Sequence, residues 1–240
     1  MRADGRKANQ LRPISFQRQT IEFAEGSCLV KFGRTEVLCT ATVEEQLPRW
    51  RNPQDGGWVT GEYDMLPRAN RDRTNRTAGK NGRAQEISRL IGRSMRAVTD
   101  LSALPVMIIL DCDVLQADGG TRTAAVTGGF VALVDALRWC VKQGLVKQLP
   151  LLDSIAAASV GMVSDNLLLD LDYGEDSRAA VDANVVMTGR GRLVEIQATG
   201  EEATFTTDEL QQMISLAQKG IQNLTRLQLR TLGHFSLRKE

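Results

Sequence analysis

Alternating apolar and polar residues predict several strands in the first half of the chain. From Thr20 to Glu44 the alternation runs on both sides of Gly33-Arg34, which predicts two strands joined by a tight turn. The segments from Trp58 to Leu66 and from Val106 to Val114 have the same strand-like character. We therefore expect an antiparallel hairpin to open the fold, followed by two further strands.

Three segments have the longer periodicity of helices. After Ala84, apolar residues recur at steps of three and four, which predicts a helix with one buried stripe formed by Ile87, Leu90, Ile91, Met95 and Val98. A long apolar helix is expected at about residues 123–142. A capping box of Thr206 and Glu209 predicts the start of a last helix, which runs to about Leu232.

The second half of the chain contains two more predicted hairpins. One joins the strands 155–163 and 167–173, and the other joins the strands 183–187 and 193–199. Strands precede a long helix in both halves, which predicts an α/β fold with helices packed on mixed sheets. We expect one compact domain over residues 1–240, with its first half at about 12–143 and its second at about 151–233.

The composition is typical of a globular chain without an export or anchoring segment. The 240 residues are 42% hydrophobic and 25% charged, with a net charge of +1. No apolar run follows the charged N-terminus, and we interpret no later segment as long and apolar enough to span a bilayer. Four dispersed cysteines without a C-x-x-C pair favour free thiols over zinc or disulfides. We expect a cytoplasmic protein with no membrane partner.

Charge is concentrated in two segments. Leu66 to Arg96 contains nine Arg or Lys and two acids, which is typical of a surface that binds a polyanion. A later segment is rich in carboxylates that could hold a hard metal ion, namely Asp165, Asp170, Asp172, Glu175, Asp176 and Asp182. The one histidine, His234, lies in the polar tail, which argues against most Ser-His, Cys-His and His-metal chemistries.

A glycine-rich loop, Gln116-Ala-Asp-Gly-Gly-Thr-Arg-Thr123, lies between a predicted strand and the long apolar helix. Backbone N–H groups and the positive end of a helix dipole can bind an anion at such a loop, and Thr121 and Arg122 add a hydroxyl and a planar guanidinium. The loop lacks both the G-x-x-x-x-G-K-[ST] and the G-x-G-x-x-G patterns. It therefore favours a small free anion such as orthophosphate over a nucleotide.

The run LDCDVLQADGGTRT, residues 110–123, resembles that of the bacterial ribonuclease PH family. Further matches follow in order through most of the chain, including Gly5-Arg6, Arg12-Pro13, Glu62-Tyr63, Met65 to Arg68, Gly82-Arg83, Glu86-Ile87, Glu175 to Ser177 and Asp182. The resemblance implies the ribosomal protein S5 domain 2-like fold of that family. It also implies a homo-hexameric ring built as a trimer of dimers.

The same resemblance implies a phosphate-dependent 3′-to-5′ exoribonuclease. Such enzymes trim precursor tRNA and other RNA 3′ ends, release nucleoside diphosphates and run in reverse as RNA nucleotidyltransferases. By the resemblance, the phosphate-binding residues are Arg83, Gly120, Thr121 and Arg122. Asp176 and Asp182 match two catalytic aspartates, and our hypothesis is that they hold Mg²⁺ and that Asp182 protonates the leaving 3′ oxygen.

Phosphorolysis suits these residue types, because cations must offset the repulsion between an anionic nucleophile and an anionic phosphodiester. Two other functions remain open. One is a non-catalytic RNA-binding ring subunit of the same fold, which the presence of the complete set of site residues disfavours. The other is a metal-dependent hydrolytic nuclease that releases monophosphates, which the lack of an extra base or histidine disfavours.

Four arginines in the basic segment alternate with polar residues, namely Arg68, Arg71, Arg73 and Arg76. This composition suits contact with RNA phosphates rather than the reading of bases, and the resemblance implies RNA rather than DNA. In the family this loop reaches across a dimer interface, so the arginines would act at the partner subunit's site. The alternative is a solvated loop.

Overall fold

The computed structural model describes residues 2–75, 82–233 and 237. A mixed sheet with the strand order β1-β2-β3-β5-β4 forms the first half. Its strands are β1 (Ile14–Arg18), β2 (Gly26–Phe32), β3 (Thr35–Glu44), β4 (Trp58–Met65) and β5 (Met107–Gln116). The predicted hairpin is confirmed, with Phe32 opposite Thr35 across the two-residue turn. Strand β4 runs parallel to β5, so the chain crosses over between them.

The crossover contains the predicted amphipathic helix, α1 (Gly82–Arg96). Ile87, Leu90, Ile91 and Met95 are buried in it, which confirms the apolar stripe as far as Met95, while Val98 is also buried but lies after the end of the helix. The stripe packs on β4, where a Cβ added to Gly61 would lie 2.6 Å from Ile91 Cγ2. This close packing fixes α1 relative to the sheet.

The second half forms an antiparallel sheet with the order β7-β6-β8-β9. Its strands are β6 (Ile155–Val163), β7 (Asn166–Leu169), β8 (Val181–Thr188) and β9 (Leu193–Gly200). Both predicted hairpins are confirmed, but the strand expected at 167–173 ends earlier. Asp170 has a φ of 55°, in the left-handed region, and this breaks the extended conformation before a short helix, α3 (Tyr173–Asp176).

The long apolar helix, α2 (Thr121–Lys142), lies between the two sheets. It packs on β2, β3 and β5 on one side and on β6 on the other. By length and composition α2 could cross a membrane, so our expectation that no segment is long and apolar enough is wrong. The most apolar 18-residue stretch of α2 is 83% buried, because both sheets cover the helix. A helix covered in this way is hydrophobic on nearly all sides.

The last helix, α4 (Thr207–Leu232), packs mainly on β6 and β8, and the predicted capping box at its start is confirmed. Gln228 is buried and donates hydrogen bonds to the carbonyls of Thr127 and Ile155, both at 2.9 Å. These bonds join α4 to α2 and β6. One cluster of buried apolar side chains contains residues from both halves of the chain.

Candidate active site

A polar cleft of about 530 Å³ lies between the first turns of α1 and α2 and one face of the second sheet. All six residues predicted to bind phosphate or to act in catalysis line this cleft, namely Arg83, Gly120, Thr121, Arg122, Asp176 and Asp182. The fold thus brings together cations from the first half of the chain and carboxylates from the second.

The register of the second sheet explains which residues face the cleft. Two cross-strand rows are aligned, one formed by Gly161, Asp182 and Thr199 and the other by Ser159, Asn184 and Gln197. Alternate residues of a strand face the same side of a sheet. Asp182 and Asn184 therefore line the cleft, while Ala183 between them is fully buried in the core on the opposite side.

The chain makes a sharp turn immediately before α2. Gly119 and Gly120 have φ values of 75° and 66°, which favour glycine. A Cβ on Gly119 would lie 2.7 Å from the carbonyl oxygen of Leu171, so the turn directly contacts the second half of the chain. Gly120 is the N-cap residue, and no side chain within the described residues caps α2. The free N–H groups and the helix dipole favour an anion at this position.

Thr121 is held from inside the protein by Tyr63. The Tyr63 side chain is buried, and its hydroxyl donates a hydrogen bond to Thr121 Oγ1 at 2.8 Å. Burial raises the pKa of Tyr63, which outweighs the opposing effects of the Thr121 hydrogen bond and the nearby arginines. Tyr63 therefore remains a donor at neutral pH, and the proton of the Thr121 hydroxyl can be donated to a ligand.

The two guanidinium groups of the cleft differ in their surroundings. Arg122 has a side-chain exposure of 12%; it forms an ion pair with Glu86 Oε1 at 3.2 Å and donates a hydrogen bond to Gln197. Arg83 is exposed in the first turn of α1. Burial raises the pKa of Asp176 and the charge of Arg83 opposes this rise, so Arg83 and Asp176 are close enough to interact. Arg83 and Arg122 thus place two positive charges at the first turns of α1 and α2.

A buried arginine from the N-terminal segment holds the turn before α2. The Arg12 guanidinium contacts both carboxylate oxygens of Asp170, at 2.7 and 3.1 Å. It also donates to the carbonyls of Asp118 and Gly119, at 2.6 and 3.3 Å. The Thr35 hydroxyl donates to the same Gly119 carbonyl at 2.7 Å. Because Asp170 belongs to the second half, Arg12 fixes the two sides of the cleft relative to each other.

Three of the six acidic residues that could hold a metal have a structural role instead. Asp170 pairs with Arg12, and Glu175 makes two bonds to the buried Arg2, at 2.7 and 2.6 Å. Asp172 caps α3 by accepting from the N–H of Glu175 at 2.9 Å. Asp165 is exposed in the β6–β7 turn. The two other aspartates of the cluster, Asp176 and Asp182, are the ones to which the family resemblance assigns Mg²⁺.

Those two, Asp176 and Asp182, both line the cleft. Burial raises the pKa of both carboxyls; the charge of Arg83 opposes this effect at Asp176, and the Asp176 and Glu201 carboxylates add to it at Asp182. A bound cation or a proton would relieve this repulsion. Over the described ranges, no group of three or more His, Cys, Asp or Glu side chains could hold a metal ion. A metal here would therefore need further ligands from the substrate or from water.

Two sequence-family models match the chain in succession. Residues 10–138 match the "3′ exoribonuclease family, domain 1" model, and residues 153–220 match its "domain 2" model. Ribonuclease PH from Methylocella silvestris is 55% identical over 232 residues, which cover 95% of this chain and 98% of that protein. The chain belongs to the ribonuclease PH family. The protein is therefore a phosphorolytic 3′-to-5′ exoribonuclease.

A second ribonuclease PH, from Moorella thermoacetica, is 52% identical over 242 residues, covering 99% of this chain and 97% of that protein. Solved structures confirm the ribonuclease PH fold. Rice Rrp46 matches with a TM-score of 0.80 and 20% identity, over 97% of this chain and 100% of that one. A chain of the Archaeoglobus fulgidus exosome with RNA bound to the active site matches with a TM-score of 0.81 and 22% identity, over 94% and 91% of the two chains.

The predicted RNA-binding arginines of this ribonuclease PH family member lie in a segment that contacts the loop before α2. Arg68, Arg71 and Arg73 are exposed and form no ion pair with a described carboxylate, and Arg76 lies outside the described residues. The N–H of Ala117 donates to the carbonyl of Ala69 at 2.9 Å, which joins this segment to the loop that leads into α2. Their contact with RNA stays a prediction.

Sequence reasoning missed several groups that shape this ribonuclease PH cleft. Gln197 lines it from β9, opposite Asn184, and Glu201 is the residue that follows this strand; both positions depend on strand register. Tyr63 and Arg12 lie in segments that carry the family resemblance, yet neither was assigned a role. Their partners, Thr121 and Asp170, are distant in sequence, so only the folded structure shows these contacts.

Proposed function

We propose that this family member uses orthophosphate to shorten precursor tRNAs and other RNAs from their 3′ ends, and that it also runs in reverse with nucleoside diphosphates. The observation that carries this proposal is the composition of the cleft. Two arginines, the N-terminus of α2, which no described side chain caps, and two carboxylates with raised pKa values lie in the same cleft. This arrangement can hold an anionic nucleophile beside an anionic diester.

Orthophosphate binds beside the two arginines of the cleft. Arg122 lines the cleft, and an oxyanion there can replace the Glu86 carboxylate as its partner. Arg83 supplies the second cation, and Thr121 with the adjacent backbone N–H groups orients the bound phosphate. A phosphate oxygen attacks the terminal phosphodiester, the bond to the 3′ oxygen of the preceding nucleotide breaks, and a nucleoside diphosphate leaves.

Asp176 and Asp182 fit a Mg²⁺ ion. Mg²⁺ prefers oxygen ligands and commonly takes one or two carboxylates together with substrate phosphates and waters. When bound, the ion would offset negative charge on the scissile phosphate. Asp182 is also our candidate donor of the proton that reaches the leaving 3′ oxygen, because burial, and after it the neighbouring carboxylates, raise its pKa and favour its protonated form.

Assembly and location are parts of the same proposal. We propose a homo-hexameric ring built as a trimer of dimers and located in the cytoplasm. The fold shared with exosome subunits supports a ring, since those chains come from multisubunit cores. In such a ring the exposed Arg68, Arg71 and Arg73 would contact RNA phosphates at a partner's cleft. Light scattering would give six times the mass of one chain if the ring is correct.

The decisive experiment incubates the protein with a 3′-end-labelled precursor tRNA and Mg²⁺, with and without orthophosphate. Nucleoside diphosphates that appear only with phosphate support the proposal. Monophosphates in both reactions would show hydrolysis instead, and bound RNA without any product would indicate a non-catalytic subunit. Asp182→Asn should abolish the product, whereas Asp165→Asn, which removes the same charge from an exposed turn outside the cleft, should not.

A further inference from the structure

A second concave surface lies between the N-terminal segment and α4, and we call it the basic groove. It has a volume of about 500 Å³, and its polar lining consists of Lys7, Asn9, Gln10, Asn223, Arg226 and Arg230. The α4 residues belong to a helix face next to the buried one, since positions 223, 226 and 230 are three and four residues apart. None of the lining residues belongs to the catalytic cleft.

The basic groove contains three cations without a described carboxylate partner. Lys7, Arg226 and Arg230 are exposed, and within residues 2–75, 82–233 and 237 none forms an ion pair. Arg226 donates instead to neutral oxygens, those of the Asn223 side chain and the Gln222 carbonyl. By contrast, Arg18 pairs with Asp135 where α2 and α4 approach each other.

The spacing of these cations does not favour stability. Arg226 and Arg230 are four residues apart on α4, and like charges at this spacing destabilise a helix by a few tenths of a kcal/mol. Lys7 adds a third positive charge across the groove. An anionic ligand would remove this repulsion. Since the described lining contains no aromatic side chain, it suits phosphate groups rather than stacked bases.

The wall of the basic groove is ordered by the same side chains that hold the catalytic cleft. Arg2 donates to the carbonyls of Lys7 and Gln10, both at 3.3 Å, and Arg6 donates to Gln10 at the same distance. The Arg2 guanidinium also holds Glu175, the residue before Asp176. A single buried side chain, that of Arg2, thus contacts both the groove wall and the helix that carries Asp176.

We propose that the basic groove binds backbone phosphates of the RNA substrate away from the 3′ end that is being shortened. Arg226, Arg230 and Lys7 contact the phosphates of a long or folded RNA, and a short oligonucleotide held in the cleft does not reach them. The groove therefore favours substrates with a folded region beyond the 3′ end, such as a precursor tRNA, over short single strands. This inference rests on the proposed function, because it assumes that RNA is the substrate.

The test compares Arg226→Ala/Arg230→Ala with Lys147→Ala/Lys219→Ala, which removes the same charge from exposed positions outside the groove. KM and kcat are measured for a precursor tRNA and for a short single-stranded RNA at several salt concentrations. We expect the first variant to raise KM for the tRNA about tenfold, with unchanged kcat and unchanged kinetics on the short RNA. The slope of log affinity against log salt should fall by about two.

Several results would overturn the inference. Unchanged KM and salt slope on the tRNA would mean that the groove does not contact RNA. An equal loss on both RNAs, or an equal loss in the Lys147/Lys219 variant, would indicate a general effect of folding or net charge. A changed oligomer mass would assign the groove to contact with a second copy of the chain. One further result would separate the two proposals. If the unaltered protein releases no nucleoside diphosphate but its RNA binding still depends on Arg226 and Arg230, the proposed function is wrong and the inference about the groove is supported.

Discussion

The buried pair of Arg12 and Asp170 makes a quantitative prediction about how the cleft is held. Asp170 is 1% exposed, the Arg12 side chain is 3% exposed, and Arg6 lies 3.6 Å from the same carboxylate. Asp170→Asn would leave two cations without this counter-charge inside the protein. Breaking a buried pair from one side costs about 3–5 kcal/mol. For a chain of 240 residues this lowers Tm by roughly 6–10 °C.

A double-mutant cycle measures this effect by thermal unfolding at one fixed protein concentration. The variants are Arg12→Gln, Asp170→Asn and the two combined. Because the combined variant removes both members of the pair, its loss of unfolding free energy should be smaller than the sum of the single losses by at least about 1 kcal/mol. KM for orthophosphate should rise in each single variant, since the turn at Gly119 loses a bonded side chain.

An exposed ion pair provides the control. Lys31 and Glu36 lie 2.8 Å apart with side-chain exposures of 40% and 29%, and Glu36→Gln should change the unfolding free energy by less than about 1 kcal/mol. The reasoning is refuted if Asp170→Asn shifts Tm no more than this control does, or if the losses in the cycle simply add.

Three further predictions concern single side chains. Arg122→Lys should lower kcat/KM for orthophosphate by about 10- to 100-fold, since an ammonium cannot form the planar two-point contact; near-normal kinetics would contradict its assignment. Tyr63→Phe should lower kcat/KM about threefold to tenfold, because the hydrogen bond to Thr121 is lost. Thr121→Val, measured in the same assay, should lower kcat/KM further, because it also removes the hydroxyl that would contact phosphate. Burial raises the pKa of Cys28 to about 12 and of Cys140 to about 11. A thiol reagent at pH 8 should therefore label neither cysteine in the folded protein. Mass spectrometry measures this, and a labelled Cys28 or Cys140 before unfolding would contradict the prediction. Their contribution to stability is complete below the unfolded thiol pKa of 9.0 and is lost as the pH rises through these folded values.

The sequence predicted elements well where one periodicity dominated. Helix α1 and the β2–β3 hairpin followed directly from it, because each buries one regular face. The prediction that a strand extends to Tyr173 was wrong, because Asp170 adopts a left-handed conformation while its carboxylate pairs with Arg12. That conformation depends on a partner far away in the sequence, so no local pattern could indicate it. The short β1 strand was missed for a similar reason, since its pairing with β2 is visible only in the sheet.

The site residues were found through family resemblance, and their surroundings were not. Arg122 and Asp182 could be named from matching motifs, but their neighbours Gln197 and Glu201 depend on the register of β9. Without the family resemblance, the acidic residues from 165 to 182 could not have been told apart in the sequence. The fold separates them, because Glu175 pairs with Arg2 in the interior while Asp176 lines the cleft.

The contact between Arg2 and Glu175 also has a consequence for synthesis on the ribosome. These residues are 173 positions apart, so Arg2 emerges long before its partner exists. At 5–20 residues per second the delay is roughly 10–35 s. Throughout that time Arg2 lacks its native carboxylate, and the first sheet can form only with this end of the chain still solvated. Chains released before residue 175 would therefore contain the turn before α2 without the second half of the cleft, and we expect them to be catalytically inactive.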